Sequence, residues 1–208
     1  MIFLAHRGLW KRHEERNTLP ALQNALAAGF GIETDVRDAC GNLVIAHDPP
    51  GASAPALDEL LAMLKTSAVE STIALNIKAD GLHSQLRSLL KMHSVQSYFC
   101  FDMSIPQAVA YAREGVRFFT RESEVEPVPA LYAEASGIWM DMFQSDWATP
   151  SRINEHIRSG KEVALTSPEL HGRPYQPFWD VLRDSNLACL PRLMLCTDHA
   201  ESAREFFS

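Results

Sequence analysis

Length, composition and charge limit the kinds of protein that this chain can be. With 208 residues and 46% hydrophobic content, residues 1–208 can bury a sizeable core as a single domain. The formal net charge is −7 and no basic run is present, which argues against a nucleic-acid or anionic-membrane partner. No apolar segment reaches the roughly 20 residues of a spanning helix, and the four scattered cysteines form no C-x-x-C pair. We therefore expect a cytoplasmic protein without stable membrane insertion.

Apolar strand-like segments alternate with segments of helical periodicity along the whole chain. The predicted strands are 2–5, 31–38, 73–78, 98–101, 116–121, 138–142, 162–166 and 193–197, with an extra hairpin strand at 43–46. Helices are predicted between them, including one at 129–135 and a terminal one that ends near residue 207. Eight such units predict an α/β fold, a closed TIM-like (β/α)8 barrel with a small extra β-hairpin after the second strand. The alternative is an open doubly wound sheet, but His6-Arg7-Gly8 occupies the place of its glycine-rich phosphate loop.

The segment from Gly31 to Asp48 reads as a strand, a tight turn and a second strand. Because side chains alternate along a strand, Glu33 and Asp35 are expected on one face. Two buried, unpaired carboxylates repel each other and are costly to desolvate, and a hard cation between them removes both problems. Salt bridges to neighbouring basic residues are the alternative. The turn at 39–42 then returns the chain and brings His47 towards the same end.

Charged and polar side chains collect where the predicted strands end, whereas the opposite ends carry far fewer charges. In a parallel barrel, the carboxyl ends of the strands and the loops that follow them build the active site. We therefore expect a functional site here. The residues at these ends are His6, Arg7, Glu33, Asp35, His47, Asp48, Asn76, Lys78, Asp102, Arg121, Asp141, Glu169, His171, Arg173 and Asp198.

Several short motifs resemble those of the glycerophosphodiester phosphodiesterase family in order and spacing. They are Ala5-His6-Arg7-Gly8, Asn17-Thr18, Glu33-Thr34-Asp35-Val36, Gly41, His47-Asp48 and the late Thr197-Asp198. The resemblance implies a TIM-like barrel that hydrolyses a phosphodiester with one bound divalent metal, Mg²⁺ or Ca²⁺. It also implies that His6 and His47 act as general acid and base, and that Glu33 and Asp35 hold the metal.

Two positions differ from the family's pattern. Arg16 precedes Asn17 where the family has a glutamate, and Asn76 stands where the third strand supplies another metal carboxylate. Hard cations accept a neutral carbonyl oxygen, so Asn76 is the third predicted metal ligand, with a structural amide as the alternative. The loss of one negative charge predicts weaker metal binding, or help from Asp102 or Asp141.

Phosphodiester chemistry also assigns roles to basic and polar residues near the predicted metal. Arg7 is expected to clamp a phosphoryl oxygen, while Lys78 either binds phosphate or pairs with Glu33. Arg121, Asp141 and His171 are also predicted to contact substrate. The alternative for Arg121 and Asp141 is that they fix loops, and for His171 that it lies in a solvated loop. The predicted substrate-binding residues are Arg7, Lys78, Arg121, Asp141 and His171.

The sequence thus predicts a metal-dependent phosphodiester hydrolase with a small-molecule substrate, a glycerophosphodiester or a related alcohol phosphodiester. One alternative is a catalytically weak barrel that binds a phosphorylated ligand, which Arg16 and Asn76 motivate. The other is a lyase that releases a cyclic phosphate. The sequence leaves open the alcohol portion of the substrate, the identity of the metal and the oligomeric state.

Overall fold

The computed structural model describes residues 1–51, 53–66 and 71–208, without the side chains of positions 65 and 66. Its contacts divide the chain into two compact units. The N-terminal unit is Ala5–Phe118, and the C-terminal unit combines Met1–Leu4 with Phe119–Ser208. The expectation that residues 1–208 form one domain stays a prediction.

Strands and helices alternate in the N-terminal unit. They are the end of β1 (Ile2–His6), α1 (Leu19–Ala27), β2 (Gly31–Ala39), β3 (Asn42–Ile45), α2 (Leu57–Thr66), β4 (Ile73–Ile77), α3 (His83–Met92), β5 (Tyr98–Phe101) and α4 (Ile105–Arg113). Strand β4 pairs in parallel with β2 and β5, whereas β3 runs antiparallel to β2. The predicted hairpin after the second strand is therefore confirmed.

Local chemistry at the start of α1 fixes the turn that follows β1. The Thr18 hydroxyl caps the helix by accepting a hydrogen bond from Ala21 N at 3.3 Å, and Pro20 fits the first helical turn. Gly8 has φ of 91°, and a Cβ there would lie 2.5 Å from the carbonyl carbon of Ala21. A side chain at this position would therefore push the His6-Arg7-Gly8 turn away from α1.

The C-terminal unit repeats the strand–helix pattern. It contains β6 (Phe119–Ser123), β7 (Gly137–Asp141), α5 (Pro150–Arg158), β8 (Glu162–Thr166), α6 (Gln176–Asp184), β9 (Leu193–Thr197) and α7 (Ala200–Phe206). These four strands pair in parallel in chain order. Their apolar side chains, such as Ile138 and Leu165, pack with Phe178 and Trp179 of α6 in a buried core.

Two predicted elements in this half are wrong. The strand predicted at 116–121 runs instead over Phe119–Ser123, because pairing with β7 begins at Phe119 while Phe118 forms an isolated bridge to Cys100. Arg121 consequently lies inside β6 and not after it. The segment predicted as a helix at 129–135 forms turns, in which Leu131 has φ of 53°, a left-handed value that interrupts a right-handed helix.

The strand order across the described part of the chain is β5-β4-β2-β1-β9-β8-β7-β6, with β3 attached to β2. Apart from β5 and β6, which stand at the two ends of this order, consecutive strands of the repeating pattern are neighbours, as in a TIM-like (β/α)8 barrel. A doubly wound sheet would reverse its order at a switch point. The predicted fold class is therefore confirmed.

Among the helices that the structure describes, none has the length and apolar character needed to cross a bilayer.

Candidate active site

Strands β2 and β4 place the three predicted metal ligands beside one another. In their parallel register, Asp35 is opposite Asn76 and Glu33 is opposite Ala74. Since side chains alternate along a strand, Glu33, Asp35 and Asn76 share one face. The pairing of two strands, which the sequence does not specify, thus brings the asparagine to the carboxylates.

The Asp35 carboxylate is completely buried, and its two oxygens have different surroundings. Oδ2 accepts a hydrogen bond from Asn17 Nδ2 at 2.8 Å and lies 3.0 Å from Arg7 Nε. Oδ1 lies 3.5 Å from Lys78 Nζ but takes part in no hydrogen bond. Thr34 Oγ1 donates to Asn17 Oδ1 at 2.8 Å, which fixes the amide that orients Asp35.

Glu33 is 2% exposed and sits beside His6, with Oε2 at 3.8 Å from His6 Nε2. Burial raises the pKa of Glu33 to about 7, and the neighbouring charge of Asp35 adds to the rise. Positive charge on His6, Arg7 and Lys78 acts in the opposite direction. The balance leaves a carboxylate whose charge is poorly compensated.

Three oxygens on this face are buried without a hydrogen bond, namely Glu33 Oε2, Asp35 Oδ1 and Asn76 Oδ1. Buried polar atoms of native proteins nearly always have a partner, so such a group of orphaned atoms calls for one. Oxygen donors of this kind suit Mg²⁺ or Ca²⁺. In residues 1–51, 53–66 and 71–208, no three or more His, Cys, Asp or Glu side chains form a metal-binding group. The set that fits a hard cation here therefore depends on the neutral Asn76 oxygen.

The two predicted catalytic histidines follow different strands. His6 ends β1, and its carbonyl accepts a hydrogen bond from Trp10 Nε1 at 3.0 Å. His47 follows β3, and its carbonyl accepts from Arg37 Nε at 2.9 Å. The His47 ring is about half exposed, with Nδ1 at 3.0 Å from Asp48 Oδ1.

Lys78 forms ion pairs with Asp35, at 3.5 Å, and with Asp102, at 3.3 Å. The sequence offered Glu33 as the partner of Lys78. The Lys78 charge does act on Glu33, because it opposes the rise in the Glu33 pKa. Arg7, Asn17 and Asp102 all have positive φ, at 57°, 58° and 69°. Such backbone strain in residues other than glycine clusters at functional sites.

The remaining predicted substrate ligands lie in the C-terminal unit. Arg121 pairs with Glu126, five residues away. Asp141 Oδ1 lies 2.7 Å from His171 Nε2, and its carbonyl accepts from Trp147 Nε1 at 2.9 Å. These contacts fit a role in fixing loops, and contact with substrate stays a prediction for all three residues.

Sequence reasoning gave Asn17 no role and missed a cleft. The amide of Asn17 orients Asp35, and the signal was its place in the Asn17-Thr18 motif.

The cleft, here named the hairpin cleft, has a volume of about 490 Å³. One side comes from residues 7–18 and the other from residues 45–51 and 53–55, and its lining includes Arg7, His13, Arg16 and His47. The sequence held no sign of it, because a cleft arises from the packing of two loops.

No model of a known protein family matches the sequence. A comparison with curated proteins finds no match either.

Solved structures, in contrast, match nearly the whole chain. A Galdieria sulphuraria protein assigned as a glycerophosphodiester phosphodiesterase superposes with a TM-score of 0.77 at 16% identity, over 99% of this chain and 97% of that one. An Oleispira antarctica phosphodiesterase in complex with its product sn-glycerol-3-phosphate gives 0.69 at 15% identity, over 99% and 96%. A Ca²⁺-dependent phosphatidylinositol-specific phospholipase C from Streptomyces antibioticus gives 0.58 at 10% identity, over 99% and 96%. The chain therefore has the fold of the glycerophosphodiester phosphodiesterases, and the resemblance carried by its motifs is confirmed at the level of the fold.

Proposed function

We propose that this protein is a metal-dependent phosphodiester hydrolase that acts on a glycerophosphodiester or a related small alcohol phosphodiester. The observation that carries the proposal is the group of three buried oxygens, on Glu33, Asp35 and Asn76, that make no hydrogen bond. His6 lies beside this group, Arg7 and Lys78 flank it, and His47 follows β3, the strand that pairs with β2. A cytoplasmic location is part of the same proposal.

In this proposal, Glu33, Asp35 and Asn76 hold one Mg²⁺ or Ca²⁺. Such an ion supplies positive charge for the phosphoryl oxygens and polarises the phosphorus–oxygen bonds. Arg7 and Lys78 bring further positive charge to the same place. Both are also ion-paired to Asp35, so each positive charge would be shared between the Asp35 carboxylate and the bound phosphate.

His6 and His47 exchange protons with the substrate in this proposal. One takes a proton from the attacking hydroxyl or water, and the other gives a proton to the leaving alcohol oxygen. His47 Nδ1 faces Asp48, which leaves Nε2 of that ring for proton transfer. His6 Nε2 lies 3.8 Å from Glu33 Oε2, so this ring is next to the proposed metal ligands.

The test is turnover of a panel of glycerophosphodiesters with Mg²⁺, Ca²⁺ or Mn²⁺. We expect activity that EDTA removes and that falls about 10²- to 10⁴-fold in His6→Ala and in His47→Ala. His93→Ala is the matched control, because its ring pairs with Asp58 on α2, away from the proposed ligands. Turnover that is unaffected by both substitutions would contradict the acid–base assignment.

The same assay separates the two alternative functions. A phosphorylated-ligand barrel would bind glycerol phosphate without hydrolysing any diester, in line with the ion pairs that already neutralise Asp35. A lyase would accumulate a cyclic phosphate, which phosphorus NMR distinguishes from the open monoester. Hydrolysis to a monoester and a free alcohol supports the proposal.

A further inference from the structure

The hairpin cleft has two unlike walls. On one side, residues 45–51 and 53–55 contribute Ile45, Ala46 and three prolines, Pro49, Pro50 and Pro55. Proline has no N–H, and the N–H groups of Ile45 and Ala46 already donate to Pro55 O at 2.8 Å and to Asp35 O at 3.1 Å. These five residues therefore offer an apolar surface with few donors for a ligand, and the polar groups of this wall come from His47, Asp48 and Ser53.

The opposite wall carries positive charge. Arg7 and Arg16 line it together with His13, and His47 enters from the hairpin side. Asp48 also lines the cleft, but its carboxylate is 88% exposed and interacts with the His47 ring. Arg7 shares its charge with the buried Asp35, at 3.0 Å, and the lining adds Arg16 and two imidazoles against the solvent-exposed carboxylate of Asp48.

Arg16 is fixed in place by the fold of its loop. Its guanidinium carbon lies 4.1 Å from the centroid of the Trp10 ring, a cation–π contact. Asn17 N donates to Arg7 O at 3.0 Å, so the residue next to Arg16 is bonded directly to Arg7. One arginine therefore reaches both the cleft and Asp35, and the second stands beside it.

We propose that the hairpin cleft binds the alcohol portion of the phosphodiester and that Arg16 selects an alcohol carrying a second anionic group, such as a phosphate monoester. The inference rests on the proposed function for the position of the reacting phosphate. A cleft of about 490 Å³ has room for such a group. A quaternary ammonium alcohol is disfavoured, because the Arg16 charge repels it and the Trp10 ring already binds the Arg16 cation.

The test compares three diesters in saturating Mg²⁺: glycerophosphocholine, glycerophosphoglycerol, and glycerophosphoglycerol with a terminal phosphate. For the wild type we expect kcat/KM to be about tenfold higher for the phosphate-bearing diester than for the choline diester. In Arg16→Gln this ratio falls to about two or less, while Arg16→Lys keeps part of it, because lysine retains the positive charge but not the planar guanidinium that stacks on Trp10. Arg12→Gln is the control, because Arg12 is exposed, pairs with Glu15 and does not line the cleft.

Two kinetic results would overturn the inference while leaving the proposed function intact. One is a wild-type enzyme that hydrolyses the three diesters equally well. The other is an Arg16→Gln variant that loses the same factor on all three, since Arg16 would then bind the reacting phosphate.

A binding measurement tests the cleft even if no diester is hydrolysed. In EDTA, calorimetry should find that glycerol bisphosphate binds the wild type about tenfold more tightly than glycerol phosphate, and that Arg16→Gln binds both alike. Equal binding of the two ligands by the wild type would refute the selection of a second anion. Absence of turnover with this preference intact would refute the hydrolase instead.

Discussion

Glu33 in the N-terminal unit and Glu122 in the C-terminal unit are both buried carboxylates, 2% and 3% exposed. Glu122 uses both oxygens: Oε1 accepts from Arg152 Nε at 2.8 Å, and Oε2 lies 2.7 Å from His156 Nε2. Tyr132 OH is 3.0 Å from the other nitrogen of His156, which completes the network. Glu33 instead leaves Oε2 buried without a hydrogen bond.

The pKa values of the two carboxyls move in opposite directions. Burial acts to raise the pKa of Glu122, but hydrogen bonds from His156 and Arg152 outweigh it and hold the pKa below its ordinary value. For Glu33, burial and Asp35 prevail, and the pKa rises to about 7. A buried carboxylate with satisfied oxygens belongs to the architecture, whereas one with an orphaned oxygen marks a place for a ligand.

The largest effect is expected from Glu33→Gln in the metal-free protein. At pH 8, above its pKa of about 7, Glu33 is ionised at a cost to folding, and the neutral glutamine removes that cost. We expect the free energy of unfolding to rise by about 3 kcal/mol at pH 8 and the gain to vanish only below pH 4, where the carboxyl is protonated in both the folded and the unfolded protein. Urea denaturation in EDTA at both values measures it.

Addition of Mg²⁺ supplies the control for that prediction. The ion should stabilise the wild type more than Glu33→Gln, because the variant keeps Asp35 as its single charged ligand among the three proposed ones. A variant that is less stable than the wild type in EDTA at pH 8 would contradict the view of Glu33 as an uncompensated charge.

Glu122→Gln should have the opposite sign. The substitution removes the charge that Arg152 and His156 share, and we expect it to lower the free energy of unfolding by about 2 kcal/mol at pH 7. Because the pKa of Glu122 is lowered in the fold, this contribution is present above the ordinary value of 4.5 and disappears as the pH falls. Denaturation at pH 7 and below pH 4 measures the difference, and an unchanged stability at pH 7 would remove the contrast with Glu33.

Asn76→Asp sharpens the comparison by adding a third carboxylate beside Asp35. More negative charge in the ligand set tightens binding of a hard cation, and we expect Mg²⁺ affinity to rise about tenfold. The metal-free variant should also be less stable, because a further buried charge lacks a partner. Isothermal titration of Mg²⁺ into the wild type and the variant checks the first effect. Weaker binding by the variant would place the metal away from Asn76.

Asn17→Ala is expected to have the smallest effect. It removes the hydrogen bond at 2.8 Å to Asp35 Oδ2 and leaves the Thr34 hydroxyl without its acceptor. A cost of about 1 kcal/mol in unfolding free energy follows, with weaker Mg²⁺ binding because Asp35 is less well oriented. Asn24→Ala on α1 provides a control at a position away from the ligands. Equal effects of the two substitutions would deny Asn17 its orienting role.

The sequence by itself determined the fold class and the placement of the Glu33 and Asp35 carboxylates on one face of a strand. Periodicity and strand alternation predict the strand–helix repeat, and they place Glu33 and Asp35 on one face because that relation is local to one strand. Local rules failed at 116–121 and 129–135. There, strand pairing decided which residues extend, and a left-handed Leu131 divided the predicted helix.

The tertiary structure alone decided how the site is assembled. Asn76 meets Asp35 through the register of β2 and β4, and Asn17 reaches Asp35 from a separate loop. Whether a buried oxygen finds a partner likewise depends on side chains far apart in the chain. For this reason the sequence named Glu33 but could not tell that its Oε2 lacks a hydrogen bond, and it gave no sign of the satisfied carboxylate of Glu122.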